Sequence, residues 1–442
     1  MKKIVLILAL LLCTPFYCEA KDVCGIDDSM KVPEYWICRA QHAKSLLMTS
    51  EEIKRFNDKI YADASLFCCD VLSLPLEAKR SEILKFINDK PFKERSYNGT
   101  KEADAEFWNK LIANNNTENI NEKIALRFAT AVSNDILKIM PYNDGIYDAP
   151  GISPFDNNVQ TSVKIWDNMV ILHESADGEY YLVRLPYAFG WIRKNAVALA
   201  DRDTLKKYAA MDFYTVTSNR AETDIRTEEP NAGRRVFYMG TRLPAVKADS
   251  VDGVSTINSR AVLIPLRKAD GTLSVTADRI PFSGGTLCRG YLPYTQANVI
   301  RQAFEMLGER YGWGGTFGAR DCSGLVRDVY LTFGINLPRN SRAQASVNAK
   351  IYDVEKSSLK DKMNILKKAP VGTLLYIPGH IMLYLGTAYG KGYVIQSVSR
   401  CILPQDKDKI TTLHCVTVSD LDLKRINGKT CLESVTKILT ID

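Results

Sequence analysis

Tyr311-Gly312-Trp313-Gly314-Gly315-Thr316-Phe317-Gly318-Ala319-Arg320-Asp321-Cys322-Ser323-Gly324-Leu325 changes character at its midpoint. The first half is rich in glycine and aromatic side chains, which predicts an ordered loop. The second half predicts the start of a helix. Asp321 is a good N-cap, and Leu325, Val326, Val329, Tyr330 and Phe333 follow at helical spacing. Cys322 then falls in the first turn, where free backbone N–H groups and the helix dipole favour an anion. A nucleophilic thiolate is the chemistry such a turn favours. For an isolated Asp-Cys-Ser-Gly, a buried structural cysteine is the commoner reading.

Downstream residues decide between the two. Thr373–Ile377 reads as a strand and Pro378-Gly379 as a turn. His380–Gly386 reads as a second strand opening on histidine, and Tyr393–Ser397 as a third carrying Gln396. Cysteine on a helix, histidine on a strand and a polar residue on the next strand is the order of a papain-like triad. The other histidines, His42, His173 and His414, have no comparable surroundings.

Four motifs carry a resemblance. Tyr-x-Trp-Gly-Gly, Asp-Cys-Ser-Gly-Leu, Pro338-Arg339-Asn340-Ser341-Arg342-Ala343-Gln344 and Gly-His-Ile-x-Leu-Tyr-Leu-Gly occur in this order over roughly 293–400. Together they resemble the NlpC/P60 family of cell-wall peptidases.

The chain begins Met1-Lys2-Lys3, followed by an uncharged apolar run from Ile4 to Leu12. This pattern predicts an exported protein with a secretory leader over 1–20, cleaved after Ala20. The run is too short to span a bilayer, and no other segment predicts a membrane span. Cys13 after Leu10-Leu11-Leu12 crudely suggests a lipoprotein box, although Leu12 is bulky for the position before the cysteine. The destination is the periplasm or cell envelope.

At 442 residues the chain exceeds a single core, and its 46% hydrophobic and 25% charged residues are ordinary for folded domains. The net charge of +7 is spread out. It suits an anionic envelope and lacks the basic stripe of a nucleic-acid binder. Without Cys13 and Cys18, nine of the eleven cysteines remain. In an oxidising compartment they predict one or two bridges among Cys24, Cys38, Cys68 and Cys69, and one among Cys401, Cys415 and Cys431. No Cys-x-x-Cys or His-x-x-x-His pattern supports zinc, so neither metal nor cofactor is expected.

The segment 21–137 is expected to be a helical clip domain. Thr49-Ser50-Glu51-Glu52 caps a helix towards Ala64, with further helices over Ala103–Ala113 and Glu122–Met140. Short strands follow. Val163–Trp166, Asn168–Glu174, Tyr180–Leu185 and Gly190–Ile192, with a turn at Asp177-Gly178, are spaced like a small barrel over 138–205. A weaker pattern over 206–292 includes Arg234–Tyr238, Leu243–Val246 and Ala261–Arg267, with a turn at Asp270-Gly271. Both units resemble bacterial SH3-like domains that commonly accompany NlpC/P60 domains. Trp166, Tyr180, Tyr181, Tyr187 and Trp191 are divided between barrel core and a groove for peptide or glycan. The fold class is therefore multidomain α+β: a helical domain, two SH3-like β-barrels, and a papain-like catalytic domain over 293–442.

This order is similar to a multidomain subgroup of γ-D-glutamyl-diaminoacid endopeptidases. The resemblance implies that Cys322 attacks an amide carbonyl, with His380 as base and then acid. Gln396, where many relatives have histidine, would hold the imidazole. The Cys322 N–H and a nearby donor, Tyr311 among the candidates, would face the oxyanion. It implies further that Tyr311 and Trp313 wall the substrate pocket. Asp321, Ser323 and Ser341 would help recognise the free amine of an L-Ala-γ-D-Glu-diaminopimelate peptide, Asp321 doubling as helix cap. The partner is then peptidoglycan peptide, with a monomeric protein expected. Two alternatives stand beside this reading: a non-catalytic wall-binding protein, and a papain-like acyltransferase or amidase.

Overall fold

The structure, a computed structural model, describes residues 23, 25–93, 95–226, 233–406 and 409–442. The expected leader, Cys13 and Cys24 lie outside the described residues.

The C-terminal part is a six-stranded antiparallel sheet with a helix against it. The strand order is Lys350–Asp353, Lys437–Thr440, Leu374–Ile377, His380–Ala388, Lys391–Ile402, Ile410–Asp420. The helix Cys322–Leu331 has every residue from Cys322 to Tyr330 buried. Leu325, Val326, Val329 and Tyr330 fill one core with Ile381, Leu383 and Ile395 of the sheet. This packing fixes the relation between the helix start and the start of the histidine strand. Helix and strands lie where the sequence predicts them. Pro378-Gly379 forms the tight turn between Leu374–Ile377 and His380–Ala388, paired Ile377 with His380.

The N-terminal segment holds to two bodies at once. Helix Ser50–Ala62 begins with a full capping box, Thr49 with Glu52, and buries Ile53, Phe56 and Ile60. Those residues, with Met30 and the fully buried Trp36, belong to the same core as the cysteine helix. Trp36 lies 5.2 Å from the Tyr393 ring and donates its indole N–H to the Met30 carbonyl. Further on, Cys69, Val71, Leu72 and Ile83 enter a different core with Val170, Leu182 and Trp191. The helix expected over Ala103–Ala113 appears as Ala105–Asn114.

The helix expected over Glu122–Met140 is replaced by strands Lys123–Ala125, Arg127–Ala131 and Asp135–Lys138. Arg127–Ala131 lies between Asn168–Glu174 and Val197–Leu199, so both of its edges are hydrogen-bonded and four of its five residues are buried. Ile124, Leu126 and Phe128 share a period of two as well as a helical stripe, and pairing on both sides overrides local propensity.

These strands join a seven-stranded antiparallel sheet. Its order is Val197–Leu199, Arg127–Ala131, Asn168–Glu174, Tyr180–Arg184, Phe189–Arg193, Asp135–Lys138, Val159–Val163. The expected barrel does not close: the two edge strands do not pair with each other, and Leu199 of one makes only an isolated bridge to Thr272. Three of its four expected strands are present. The one placed at Val163–Trp166 is instead a turn, because Trp166 has φ 71° and Asp167 returns a backbone bond to Lys164. Tyr180, Tyr181, Tyr187 and Trp191 are buried.

The second β unit likewise lacks a closed barrel. It consists of a three-stranded sheet (Arg242–Pro244, Phe213–Val216, Leu287–Arg289), the long hairpin Ser259–Arg267 with Leu273–Pro281, and two short ladders. Each ladder satisfies only part of the neighbouring backbone, so the unit is held by its core of Val216, Phe237, Leu243, Val262 and Ile264.

The expected disulfides are absent among the described residues. Cys38, Cys68, Cys69, Cys288, Cys401, Cys415 and Cys431 are unbridged, as is Cys322. Most of these thiols sit in apolar cores, where cysteine packs as a small hydrophobe. An even number of cysteines does not by itself set a pairing: Cys401 and Cys431 share one core as thiols, and Cys38 is exposed. No helix among the described residues is long and apolar enough to cross a membrane.

Candidate active site

Asp321 sets the start of the cysteine helix. Its Oδ1 accepts from the Gly324 N–H at 2.7 Å and from the Ser323 hydroxyl at 3.1 Å. Its Oδ2 accepts from the Gly314 N–H at 3.1 Å, which ties the glycine loop to the helix cap. Arg339 of the Pro-Arg motif closes the arrangement with bonds of 3.0 and 2.8 Å to the two carboxylate oxygens and 2.9 Å to Ser323. Asp321 is thus a helix cap and half of a part-buried bidentate ion pair; burial pushes its carboxyl up, but Arg339 and the Gly324 and Ser323 bonds outweigh it and hold the group below the usual range.

Cys322 is buried at the head of this helix, with backbone N–H groups of Ser323 and Ile381 close to its sulfur. His380 precedes Ile381, so the start of the histidine strand lies beside the head of the cysteine helix. The His380 Nε2 is 2.7 Å from Gln396 Oε1, and the Gln396 amide nitrogen donates to Ser419 Oγ at 2.7 Å. An oxygen opposite Nε2 makes Nε2–H the donor and leaves the Nδ1 lone pair free to accept a proton.

The electrostatics differ from the thiolate expected at a helix N-terminus. Burial, and then the Asp321 carboxylate, push the Cys322 thiol up to about 12, against smaller opposing effects of the Ile381 N–H, Arg339 and the Ser323 N–H. Burial likewise lowers His380 to about 4, the Gln396 bond opposing it. Desolvation penalises both charged forms and here exceeds the dipole. The resting pair is thiol and neutral imidazole, competent as nucleophile and base between those limits. Alkylation of Cys322 by iodoacetamide is therefore expected to stay slow at pH 7 and to accelerate only in the alkaline range. The acid limb of kcat/KM should fall near pH 4, since protonation of His380 below that value removes the base. An alkylation midpoint below pH 7 would show a preformed ion pair instead.

Cys322 opens into a cavity of about 470 Å³. All five residues expected to bind substrate line it: Tyr311, Trp313, Asp321, Ser323 and Ser341. Burial, and then nearness to Cys322 and Asp321, raises the Tyr311 hydroxyl well above its ordinary range, so it remains a donor. The Trp313 indole N–H is held at 3.1 Å by the Asp156 carbonyl.

Of the cavity's remaining walls the sequence points only to Tyr187, one of the aromatic residues divided between barrel core and a groove. Val159, Gln160, Tyr187 and Phe189 come from the seven-stranded sheet, and Leu66 and Phe67 from the N-terminal segment. Phe67 has φ 55° and is 57% exposed beside Phe189, an uncommon conformation for a bulky residue. Gly314 and Gly315 show why the loop needs glycine. Both have positive φ, and a Cβ on either would strike Val159 or Ser162 of the neighbouring sheet. Among the described residues no group of three or more His, Cys, Asp or Glu side chains gathers as metal ligands.

A buried ion cluster lies behind the cavity. Asp328, on the cysteine helix, receives Lys164 Nζ at 2.6 Å and Arg320 Nε at 3.0 Å. Arg320 also reaches Glu309 at 2.6 Å and the side chain of Asn219. Lys164 belongs to the seven-stranded unit and Asn219 to the second β unit, so three bodies meet on one helix.

Comparison with known proteins adds the family. The model of the NlpC/P60 family matches residues 308–419, and that of the SH3 domain of SH3b1 type matches residues 147–193. Over 181 residues the chain is 29% identical to a gamma-D-glutamyl-L-lysine dipeptidyl-peptidase of Bacillus cereus, covering 39% of this chain and 47% of that one. Over 152 residues it is 33% identical to a phosphatidylserine decarboxylase proenzyme of Ralstonia pickettii, covering 34% and 56%. The chain spans about half the length of the curated relatives it matches. A solved NlpC/P60 endopeptidase from Photobacterium damselae shares its fold, with TM-score 0.70, 18% identity, and coverage of 89% of this chain and 95% of that one.

Proposed function

We propose that this chain, which carries an NlpC/P60 domain at 308–419 behind an SH3 domain of SH3b1 type at 147–193, is an exported cysteine peptidase of peptidoglycan stem peptides. Its bond is the one between γ-D-Glu and the following diamino acid. The observation that carries this reading is the chain of contacts at the head of the cysteine helix. A thiol opens into the cavity, and the adjoining imidazole has Nε2 engaged at 2.7 Å by Gln396. The relative in Bacillus cereus is named for a γ-D-glutamyl-L-lysine bond, which agrees in the D-Glu residue and differs in the diamino acid.

In this mechanism Nδ1 of His380 takes the Cys322 proton as sulfur attacks the γ-carbonyl carbon. The carbonyl oxygen becomes an oxyanion facing the Cys322 N–H and the Tyr311 hydroxyl. The imidazolium then protonates the departing amine of the diamino acid, leaving a γ-glutamyl thioester. Water attacks this thioester with His380 again as base. Asp321, Ser323 and Ser341 offer oxygen acceptors to a free L-Ala ammonium, although Asp321 must share its carboxylate with Arg339. Walls drawn from the SH3-like unit and from Leu66 and Phe67 narrow the cavity and favour peptides already freed from glycan. The protein acts as a monomer in the periplasm or envelope, with peptidoglycan peptide as its partner.

Incubation with L-Ala-γ-D-Glu-diaminopimelate and with its N-blocked muramyl counterpart, followed by mass spectrometry, tests the substrate. Release of diaminopimelate from the free tripeptide alone is expected. Equal cleavage of both would keep the chemistry and remove the free-amine requirement. Cleavage of neither, with retained binding to sacculi, would favour a wall-binding role.

A further inference from the structure

Tyr311 supplies an oxyanion donor from a side chain, and its hydroxyl has no hydrogen-bond partner among the described residues to hold it. Its backbone N–H is fixed by the His414 carbonyl at 2.7 Å, but the hydroxyl lies a whole ring away from the backbone. An unbonded tyrosine keeps one χ1 rotamer only if its neighbours block the others. Where the hydroxyl points is therefore set by what packs against the ring.

We propose that Phe155 is a positioning residue that holds the Tyr311 ring with its hydroxyl toward the oxyanion formed at Cys322. The inference rests on the reading of Cys322 as nucleophile and Tyr311 as oxyanion donor. Phe155 lies within the stretch matched as SH3 domain, whereas Tyr311, Trp313 and His414 lie within the NlpC/P60 stretch. Its ring is 6.0 Å from that of Tyr311, 5.7 Å from Trp313 and 5.7 Å from His414, at interplanar angles of 50°, 68° and 80°. These are separations and crossed orientations that aromatic pairs favour. Tyr311 and His414 close the set at 6.3 Å, so Phe155 is the member that touches the other three. Its own loop is anchored. Asp156 Oδ1 accepts from the Ile146 and Asn158 N–H groups at 2.9 and 2.8 Å, and Oδ2 accepts from Lys138 Nζ at 2.9 Å. Phe155 thus passes the position of a fixed loop in one unit to a ring in the other that has no bond of its own.

Removing the Phe155 ring frees one side of Tyr311, and rotation about χ1 then carries the hydroxyl away from the oxyanion. Loss of one oxyanion donor costs about 10²–10³ in kcat, and a donor in place for only part of the time costs less. Phe155→Ala should therefore lower kcat roughly tenfold, with KM rising as well because Trp313 loses the same contact. A phenylalanine that merely filled the interface would slow the enzyme whether or not Tyr311 carried a hydroxyl.

The test is a double-mutant cycle on the full chain, with kcat and KM on the free tripeptide, joined to crystal structures of wild type and Phe155→Ala. Tyr311→Phe should lower kcat about 10²-fold. In that background Phe155→Ala should cost less than about twofold further in kcat. Phe155→Leu, which keeps most of the packing volume, should stay within about threefold of wild type. In the crystals Tyr311 should occupy one rotamer in wild type and a different one, or more than one, in Phe155→Ala. An equal tenfold loss in the Tyr311→Phe background, or a Tyr311 ring unmoved in Phe155→Ala, would overturn the proposal. The ring is located without turnover, so failure of wild type to cleave the tripeptide would count against the peptidase reading and leave the position of the ring standing by itself.

Discussion

His380→Ala is expected to lower kcat on the free tripeptide by about 10⁴-fold or more, with the unfolding transition little changed. The size follows from the double role of one ring. A thiol pushed up to about 12 is almost wholly protonated at pH 7, so the reaction cannot draw on a preformed thiolate and needs a base at the moment of attack. The same ring must then protonate the amine, because expulsion of an unprotonated amide nitrogen is slow. Removing it disables both steps. The fold tolerates the change, since His380 opens its strand and, among the described residues, its side chain is hydrogen-bonded to Gln396. Chromatographic assay of released diamino acid measures the loss. A decrease below about tenfold would mean that another group serves as base.

Asp328→Ala is expected to be the most damaging change outside the cavity, costing about 3–5 kcal/mol of stability. The carboxylate is 5% exposed and neutralises Lys164 and Arg320 at 2.6 and 3.0 Å. Its removal leaves both cations buried, with only Glu309 remaining as a carboxylate beside Arg320. Burial already lowers Lys164 to about 8 against the pull of Asp328; without that carboxylate it falls further, so the variant must either bury an unpaired cation or give up the proton. Because Lys164 reaches in from the seven-stranded unit and also donates to the Met239 carbonyl of the second β unit, the β units should loosen from the cysteine helix as well. Urea unfolding followed by tryptophan fluorescence measures the loss, and a decrease under about 1 kcal/mol would show that water replaces the carboxylate.

The part of the molecule legible in its sequence is the part where a local pattern and a chemical requirement coincide. Asp321 before an apolar run marks the helix start, and Cys322 follows from it. A turn at Pro378-Gly379 places His380 at a strand edge. Asp177-Gly178 marks a hairpin whose strands lie within a residue or so of their expected limits. Where the pattern fits two periods, the sequence is silent about which one tertiary pairing selects. Ile124, Leu126 and Phe128 suit a helical stripe and an alternating strand, and neighbours on both edges decide for the strand.

The site shows the same division. Tyr311, Trp313, Ser323 and Ser341 stand in motifs and line the cavity. Phe67, Val159 and Phe189 come from distant bodies and carry no local mark of a binding role, whereas Tyr187 stands among the aromatic residues expected in core or groove and lines the cavity. Phe155 is one aromatic residue in a loop, and its place against Tyr311 and Trp313 appears only when the two units pack together. The ion cluster is equally hidden, since Lys164, Asn219, Arg320 and Asp328 meet through three-dimensional packing of separate units. Cysteine number misled for a related reason: the count suggests pairs, whereas Cys68, Cys69, Cys401 and Cys431 pack as thiols in apolar cores.

The most direct test is mass spectrometry of L-Ala-γ-D-Glu-diaminopimelate after incubation with wild type and with Cys322→Ala at equal concentration. Diaminopimelate and L-Ala-γ-D-Glu should appear in equal amounts with wild type and remain at background with the variant. Release that persists in Cys322→Ala would contradict the assignment of Cys322 as nucleophile and, with it, the cysteine-peptidase reading.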